Sequence, residues 1–488
     1  MMMVRRSLRW LTVSPGPAWA VVVIVSIGFV IAGIMVLDVR IRDYDEGVYW
    51  QSLRAMARGE PLFSSVFASQ PPGFYYVLLP LYLIGHSLAS LRLTVLVLAF
   101  LGLAATYLVG RLIAGPFAGV IALLLAATSP LYVHQAALVQ ADGPSVAASM
   151  IAVALSLLAV RWGGRASVAA AALTGLAFAF AVGMKLLGAV TVIPIVVVFL
   201  GAPRARARLL AAAGAGCVLT ALLVLIPAIA SPGAAFNDLV LSHVQAGQAS
   251  KQNLGDNLRL LFLHREGPLE ALALIGVVVA VLRQDRSIVM PVAWAGASIL
   301  AVLFYHPLFA HHVVMLSLAL ALTAAVGLSS LRAGPHPGLP PRAGDEDGRA
   351  GGNFAAAALV LATAAAGVAV IVGDIRLARI PDIHDAEMTA AVGATGNPGD
   401  FWISDNPYAV AAADRNIPGA LVDTSGQRIK AGLLTVHDLE TTRERYRVRW
   451  LLEDSFRLFS VPGYQSWLGQ HFHAVRYLGG RAVLYEAN

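Results

Sequence analysis

Uninterrupted apolar stretches recur along the first three quarters of the 488-residue chain. Each is close to the ~20 residues that an α-helix needs to cross ~30 Å of hydrocarbon. No soluble fold accommodates so many. Only 13% of the residues are charged, against roughly a quarter in soluble domains. The expected fold is therefore an all-α polytopic membrane protein.

The net charge of +7 does not imply a nucleic-acid partner. The arginines fall in short clusters between apolar segments, as in cytoplasmic loops. The single cysteine, Cys217, lies within an apolar run, so neither a disulfide framework nor a cysteine metal site is expected. Arg5, Arg6 and Arg9 place the N-terminus in the cytoplasm, ahead of an apolar segment at 18–37 that reads as an uncleaved signal anchor.

Residues 38–72 then lie outside the membrane. The next apolar piece, 73–87, is short, follows Pro71-Pro72 and contains Pro80. It reads as a juxtamembrane or re-entrant helix within the outer loop 38–88. On that reading spans are expected near 89–110, 115–132, 146–160, 167–182, 186–201, 209–230, 269–282, 287–305, 312–331 and 354–373. Arg111, Arg161/Arg165, Arg204/Arg206/Arg208, Arg283/Arg286 and Arg332/Arg342/Arg349 then all face the cytoplasm. A spanning 73–87 would send them outside. About eleven spans result, with the C-terminus outside.

The Pro/Gly-rich stretch 333–352 reads as a linker. Residues 1–373 form the expected membrane domain. Residues 374–488 change character, with strand-like runs DFWISD, VRWLLED and RAVLYEA. They suggest a small extracytoplasmic α/β domain.

On this topology the unusual polar residues gather at one face. Asp45 and Glu46 open an interfacial helix after the first span, where they could serve as dipole-favoured capping residues or as chemistry. Lys185 is the only charge between Arg165 and Arg204. It could bind a phosphate or extend to the interface. Arg92 and Asp142 stand at helix starts, where anchoring and capping compete with phosphate and substrate binding. His306, His311 and His312 cluster outside, with interfacial placement, zinc or phosphate binding all open. Loop 231–268 is long enough to cover a site, and Asp405-Asn406-Pro407-Tyr408 follows a strand as either a ligand loop or an Asx-turn.

DYDEGVYWQSLRAMARGEPLF, then SQPPGFYYVLLPLYLIGHSLASLRL, then ATSPLYVHQAALVQADGPSVAASMIAVAL together resemble the protein O-mannosyltransferase and aminoarabinose-transferase superfamily. The resemblance runs over about residues 38–330. It implies the GT-C fold and a polyprenyl-phosphate sugar as donor. It makes Asp45 the general base and Glu46 the residue that positions the acceptor or a divalent metal. It brings Asp142 to the donor side, while Arg92 and Lys185 are expected as donor-phosphate ligands because they are the isolated outer-side cations. Gln70 stands where the family often has Lys or His, and His134 with Gln140 where it has Arg.

The implied activity is an inverting glycosyltransferase acting at the outer face of the inner (plasma) membrane on a lipid, polysaccharide or protein hydroxyl. A polyprenyl phosphate is already a good leaving group, so one base and phosphate neutralisation suffice. No P-loop or dinucleotide fingerprint is present. A transporter or flippase of a lipid-linked saccharide, and an inactive binding member of the family, are the competing readings.

Overall fold

The computed structural model describes residues 16–262, 265–331, 345–479 and 481–488. The N-terminal arginines and most of the 333–352 linker lie outside this set. The long apolar segments are helices at Gly16–Ile34, Leu88–Ala114, Asp142–Arg161, Gly164–Met184, Arg206–Val224, Gly267–Leu282, Val289–Leu303, Val314–Ser329 and Asp345–Ala378. Seven described helical stretches are long and apolar enough by themselves to cross a membrane. The chain is a polytopic membrane protein.

Two expected spans are modified by local chemistry. The 115–132 segment is broken at Thr128-Ser129, giving Pro116–Ala127 and Pro130–Ala136 at 68° to each other. Pro130 cannot donate into the preceding helix, and the Ser129 hydroxyl caps the new one by accepting from Tyr132 N–H. The 186–201 segment begins as a 3₁₀ turn, Leu186–Thr191, before Val192–Leu200. Pro72–Gly85 is a helix of 14 residues, about 21 Å at 1.5 Å per residue and shorter than the hydrocarbon core.

At the centre lies Val314–Ser329, buried from Val314 to Leu328. It packs against Leu88–Ala114, Pro116–Ala127, Asp142–Arg161, Gly267–Leu282 and Val289–Leu303. Gly327 meets Gly276 so closely that a Cβ on Gly327 would lie 2.2 Å from the Gly276 carbonyl oxygen. Small residues permit this backbone approach, the usual means of close helix association without water. By contrast Arg206–Val224 turns Val218, Leu219, Leu222 and Leu223 outward, the expected lipid-facing surface.

The C-terminal region carries a four-stranded sheet in the order β1 (Trp402–Ser404), β2 (Trp450–Glu453), β4 (Val483–Ala487), β3 (Phe472–Tyr477). β1 and β2 run parallel, while β4 is antiparallel to both neighbours. β1, β2 and β4 fall on the strand-like runs of the sequence. β3 was not expected, because its residues after Phe472 are exposed and carry no alternating pattern.

The sheet region is joined to the first loop. Gln51 donates to the Arg415 carbonyl and accepts from Ile417 N–H. Arg58 donates to Asn416 and to the Ile417 carbonyl, and Glu60 accepts from Gly419 N–H. Tyr44–Ala57 packs against Pro407–Ala412 at Gly47, where a Cβ would lie 2.6 Å from Tyr408 N. One apolar core runs through both parts, including Trp50, Phe74, Tyr75, Trp402 and Leu452.

Candidate active site

A cavity of about 430 Å³ lies where the first loop, several helix ends and the C-terminal region converge. Of the residues singled out from sequence, Asp45, Gln70, Gln140, Asp142, Lys185, His311 and His312 line it. They come from segments far apart in the chain and are brought to one place.

Asp45 belongs to the first turn of Tyr44–Ala57. Asp43 is the N-cap, its Oδ1 accepting from Asp45 N–H at 2.9 Å, so capping falls to Asp43 and leaves the Asp45 carboxyl to the cavity. Burial, with the adjacent Asp43 carboxylate next in importance, pushes the Asp45 carboxyl up to about 8. Asp423 and Asp142 act in the same direction, and Lys185 opposes them. A carboxyl so tuned is matched to proton transfer near neutral pH.

Lys185 closes the Gly164–Met184 helix and is buried. Its Nζ lies 3.4 Å from Asp142 Oδ2 and 3.4 Å from His312 Nε2. Asp142 Oδ1 is buried without a hydrogen-bond partner. Asp142, His311 and His312 each present an atom within 4.8 Å of the others, a spacing that a divalent cation could bridge by proximity alone.

Two expectations, for Glu46 and Arg92, are corrected by the geometry. Glu46 is wholly buried and away from the cavity. It accepts from Arg92 at 2.8 and 2.6 Å, from Arg42 N–H at 3.0 Å and from Val139 N–H at 3.2 Å. With its lone pairs so engaged, it cannot position an acceptor or a metal. Arg92 is likewise not a phosphate ligand. It donates to Glu46 and to the carbonyls of Val36, Leu37, Val39 and Arg40, fastening the exit of the first helix. His134 contacts Arg42 at 2.8 Å and lines a smaller neighbouring cavity. His306 lines neither, whereas its neighbour Tyr305 lines the main one.

The sequence reading missed the wall supplied by the C-terminal region. Asp423, Ser425, Gln427, Arg428, Lys430 and Arg457 face the cavity. The Arg457 guanidinium stacks 3.9 Å from the Tyr44 ring, and Arg428 stacks 3.8 Å from Phe67. Arg428 is held by the Ala420 and Asp423 carbonyls at 2.8 and 2.7 Å. From the 231–268 loop come Ser242 and His243. Burial, then Lys185, lowers the His243 imidazole to about 4, so it adds no charge at neutral pH. The Asp405-Asn406 pair has a local role: Asn406 caps Pro407–Ala412, and Asp405 accepts from Asp454, Ser455 and Arg457 N–H.

A second, apolar cavity of about 230 Å³ adjoins the first. It is lined by Pro71, Leu186, Leu187 and Val190, and it shares Ser69, Gln70, Lys185, His243 and Tyr305 with the polar one. Lys185 therefore stands at the junction of a polar chamber and an apolar slot.

Residues 69–230 match the model of the dolichyl-phosphate-mannose-protein mannosyltransferase family. No curated protein sequence matches the chain. In structure it is similar to ArnT from Cupriavidus metallidurans bound to undecaprenyl phosphate, with 15% identity, 98% of each chain covered and a TM-score of 0.69. It is also similar to AglB, the oligosaccharyltransferase of Archaeoglobus fulgidus, in complex with an inhibitory peptide and a dolichol-phosphate. There the identity is 14%, with 97% of this chain and 74% of that one covered, and the TM-score is 0.56. The oligosaccharyltransferase from the same organism in complex with zinc and sulfate gives 14% identity over 95% and 73% of the two chains, with a TM-score of 0.53. The chain has the GT-C fold of the membrane glycosyltransferases.

Proposed function

From a GT-C fold whose polar chamber opens into an apolar slot, we propose that the chain is an inverting glycosyltransferase that takes its sugar from a polyprenyl phosphate. The observation that carries this reading is the position of Lys185. A lipid-linked phosphate has an apolar tail, a charged headgroup and a sugar. The slot beside Leu186, Leu187 and Val190 suits the tail, and the chamber suits the sugar. Lys185 lies between the two, where the phosphate falls.

In the proposed step an acceptor hydroxyl oxygen attacks the anomeric carbon and its proton passes to the Asp45 carboxylate. The bond from the anomeric carbon to the phosphate oxygen breaks with its electron pair going to that oxygen. The product is an inverted glycoside and a polyprenyl monophosphate whose growing charge lies beside Lys185. Asp423, Arg428 and Arg457, from the C-terminal region, enclose the sugar or acceptor side and keep water from the reacting centre.

The topology completes the reading. The N-terminus lies in the cytoplasm of a plasma or inner membrane, and 1–373 is the catalytic membrane domain. Residues 374–488 form an extracytoplasmic domain that closes the chamber, with 72–85 staying on that side. The acceptor is a hydroxyl on a lipid, a polysaccharide or a protein.

Native mass spectrometry of the purified full-length protein tests the proposal. A polyprenyl monophosphate, or its glycosyl ester, should co-purify with the wild type and be lost from Lys185→Ala. A wild-type protein that binds nucleotide sugar and no polyprenyl phosphate would overturn it.

A further inference from the structure

His312 lies in the 3₁₀ turn Ala310–Val313 that leads into the central helix, and it is buried. Its Nδ1 accepts a hydrogen bond from the Phe309 backbone N–H at 3.2 Å. A neutral imidazole carries one proton, so an accepting Nδ1 leaves that proton on Nε2. Nε2–H then faces the Lys185 ammonium at 3.4 Å, and an ammonium can only donate. Two donors therefore meet at the cavity wall. Asp142 Oδ2 lies 3.4 Å from Lys185 Nζ, and among the described residues the Nε2–H of His312 points at no acceptor bonded to it. Both residues line the chamber.

We infer that His312 Nε2–H and Lys185 Nζ share one anionic oxygen of the lipid-linked phosphate; this rests on the reading of the cavity as a polyprenyl-phosphate site. An oxygen placed between them accepts from both and turns a repulsive contact into two charge-assisted hydrogen bonds. Asp142, 3.4 Å from Lys185, supplies the counter-charge that keeps a buried ammonium in place when no phosphate is bound.

The same side chains do not suit a divalent cation held through the His312 nitrogen that faces Lys185. A metal ligand needs a lone pair on that nitrogen. A lone pair on Nε2 moves the proton to Nδ1, where it would point at the Phe309 N–H with no acceptor between. A cation there would also be repelled by Lys185. The pattern is that of a donor pair for an anion, in spite of the proximity of Asp142, His311 and His312.

The test uses the full-length protein in detergent, titrated with undecaprenyl monophosphate and, separately, with undecaprenol, which has the tail without the phosphate. His312→Leu should weaken monophosphate binding by roughly 10- to 100-fold, the effect of one hydrogen bond to a charged group, and leave undecaprenol binding unchanged. His312→Gln, whose amide N–H₂ reaches the Nε2 position, should recover most of the loss. Lys185→Ala should weaken monophosphate binding as well. If Lys185→Ala weakens it and His312→Leu does not, the His312 assignment falls and the site reading stands. If neither variant changes it, both residue assignments fall; a wild type that binds the monophosphate no more tightly than undecaprenol sinks the polyprenyl-phosphate reading itself. Equal weakening for both lipids in His312→Leu would reduce His312 to a packing residue. Stoichiometric zinc binding by chelator-treated wild type that His312→Leu abolishes would make it a metal ligand. Either result overturns the inference.

Discussion

Glu46 and Arg92 are both sealed from solvent and meet face to face, Nε to Oε1 at 2.8 Å and Nη2 to Oε2 at 2.6 Å. The pair ties the first turn of Tyr44–Ala57 to the start of Leu88–Ala114. Removing one partner leaves the other as an uncompensated buried charge, which costs about 3–5 kcal/mol. Glu46→Leu and Arg92→Met are each expected to lower the Tm of the purified protein substantially. Their surviving folded fraction should still bind polyprenyl monophosphate with wild-type affinity. Loss of lipid binding in a folded Arg92→Met protein would restore Arg92 to the phosphate site.

Asp45→Asn is expected to abolish transfer without abolishing binding. Asparagine is nearly isosteric, and the N-cap hydrogen bond belongs to Asp43 rather than to Asp45, so the helix start should survive. The variant cannot accept the proton of the acceptor hydroxyl, and positioned bases contribute ~10²–10⁴ in rate. Single-turnover sugar release should fall by about that factor while donor affinity persists. Near wild-type turnover would exclude Asp45 as the base.

The pH dependence follows from the same carboxyl. The base is the ionised form, and burial and Asp43 raise Asp45 to about 8. The single-turnover rate should therefore climb with pH and level off above about 8, falling roughly tenfold per unit below it. Asp43→Asn keeps a side-chain oxygen for the cap and removes the neighbouring charge. Its profile should move to lower pH. An unmoved profile would mean that another group controls the rate.

Much of this arrangement was legible before the structure, and the exceptions have physical causes. Helix positions followed from apolar length, because lipid tolerates little else. Asp45, Asp142, Lys185, His311 and His312 stand out as polar residues beside apolar runs, and Gln70 enters through the family resemblance; all six line the cavity. Arg92 and Glu46 carry the same signal, yet a buried pair and a substrate contact look alike until the partner is seen. Asp423, Arg428 and Arg457 carry none, because their role arises when distant segments dock. The break before Pro130 had its marker in Thr128-Ser129-Pro130, where a proline ends one helix and a serine starts the next.

Docking of the C-terminal region depends on Gly47, where the Tyr408 backbone leaves no room for a Cβ. Gly47→Val is expected to force the two segments apart at a cost of about 1–3 kcal/mol. Limited proteolysis in detergent should then cleave the C-terminal region faster than in wild type, and transfer should fall through loss of the cavity wall. Unchanged cleavage would show that the contact contributes nothing to closure.

Orientation is open to labelling with a membrane-impermeant thiol reagent in intact cells. In a Cys217→Ala background, a cysteine at the exposed Ser64 should react. One at the exposed Gly163, beside Arg161 and Arg165, should not. Equal labelling would mean that 72–85 crosses the membrane.

The Val314–Ser329 helix, buried from Val314 to Leu328, also constrains how the molecule is made. Its neighbours Leu88–Ala114, Pro116–Ala127, Asp142–Arg161, Gly267–Leu282 and Val289–Leu303 all precede it in the chain. Synthesis therefore delivers the axis after the ring that encircles it. The bundle can close around its core only once the ribosome has passed Ser329. A chain halted before that point has a ring with nothing at its centre, so premature truncation should produce a substrate for membrane proteases rather than a smaller enzyme.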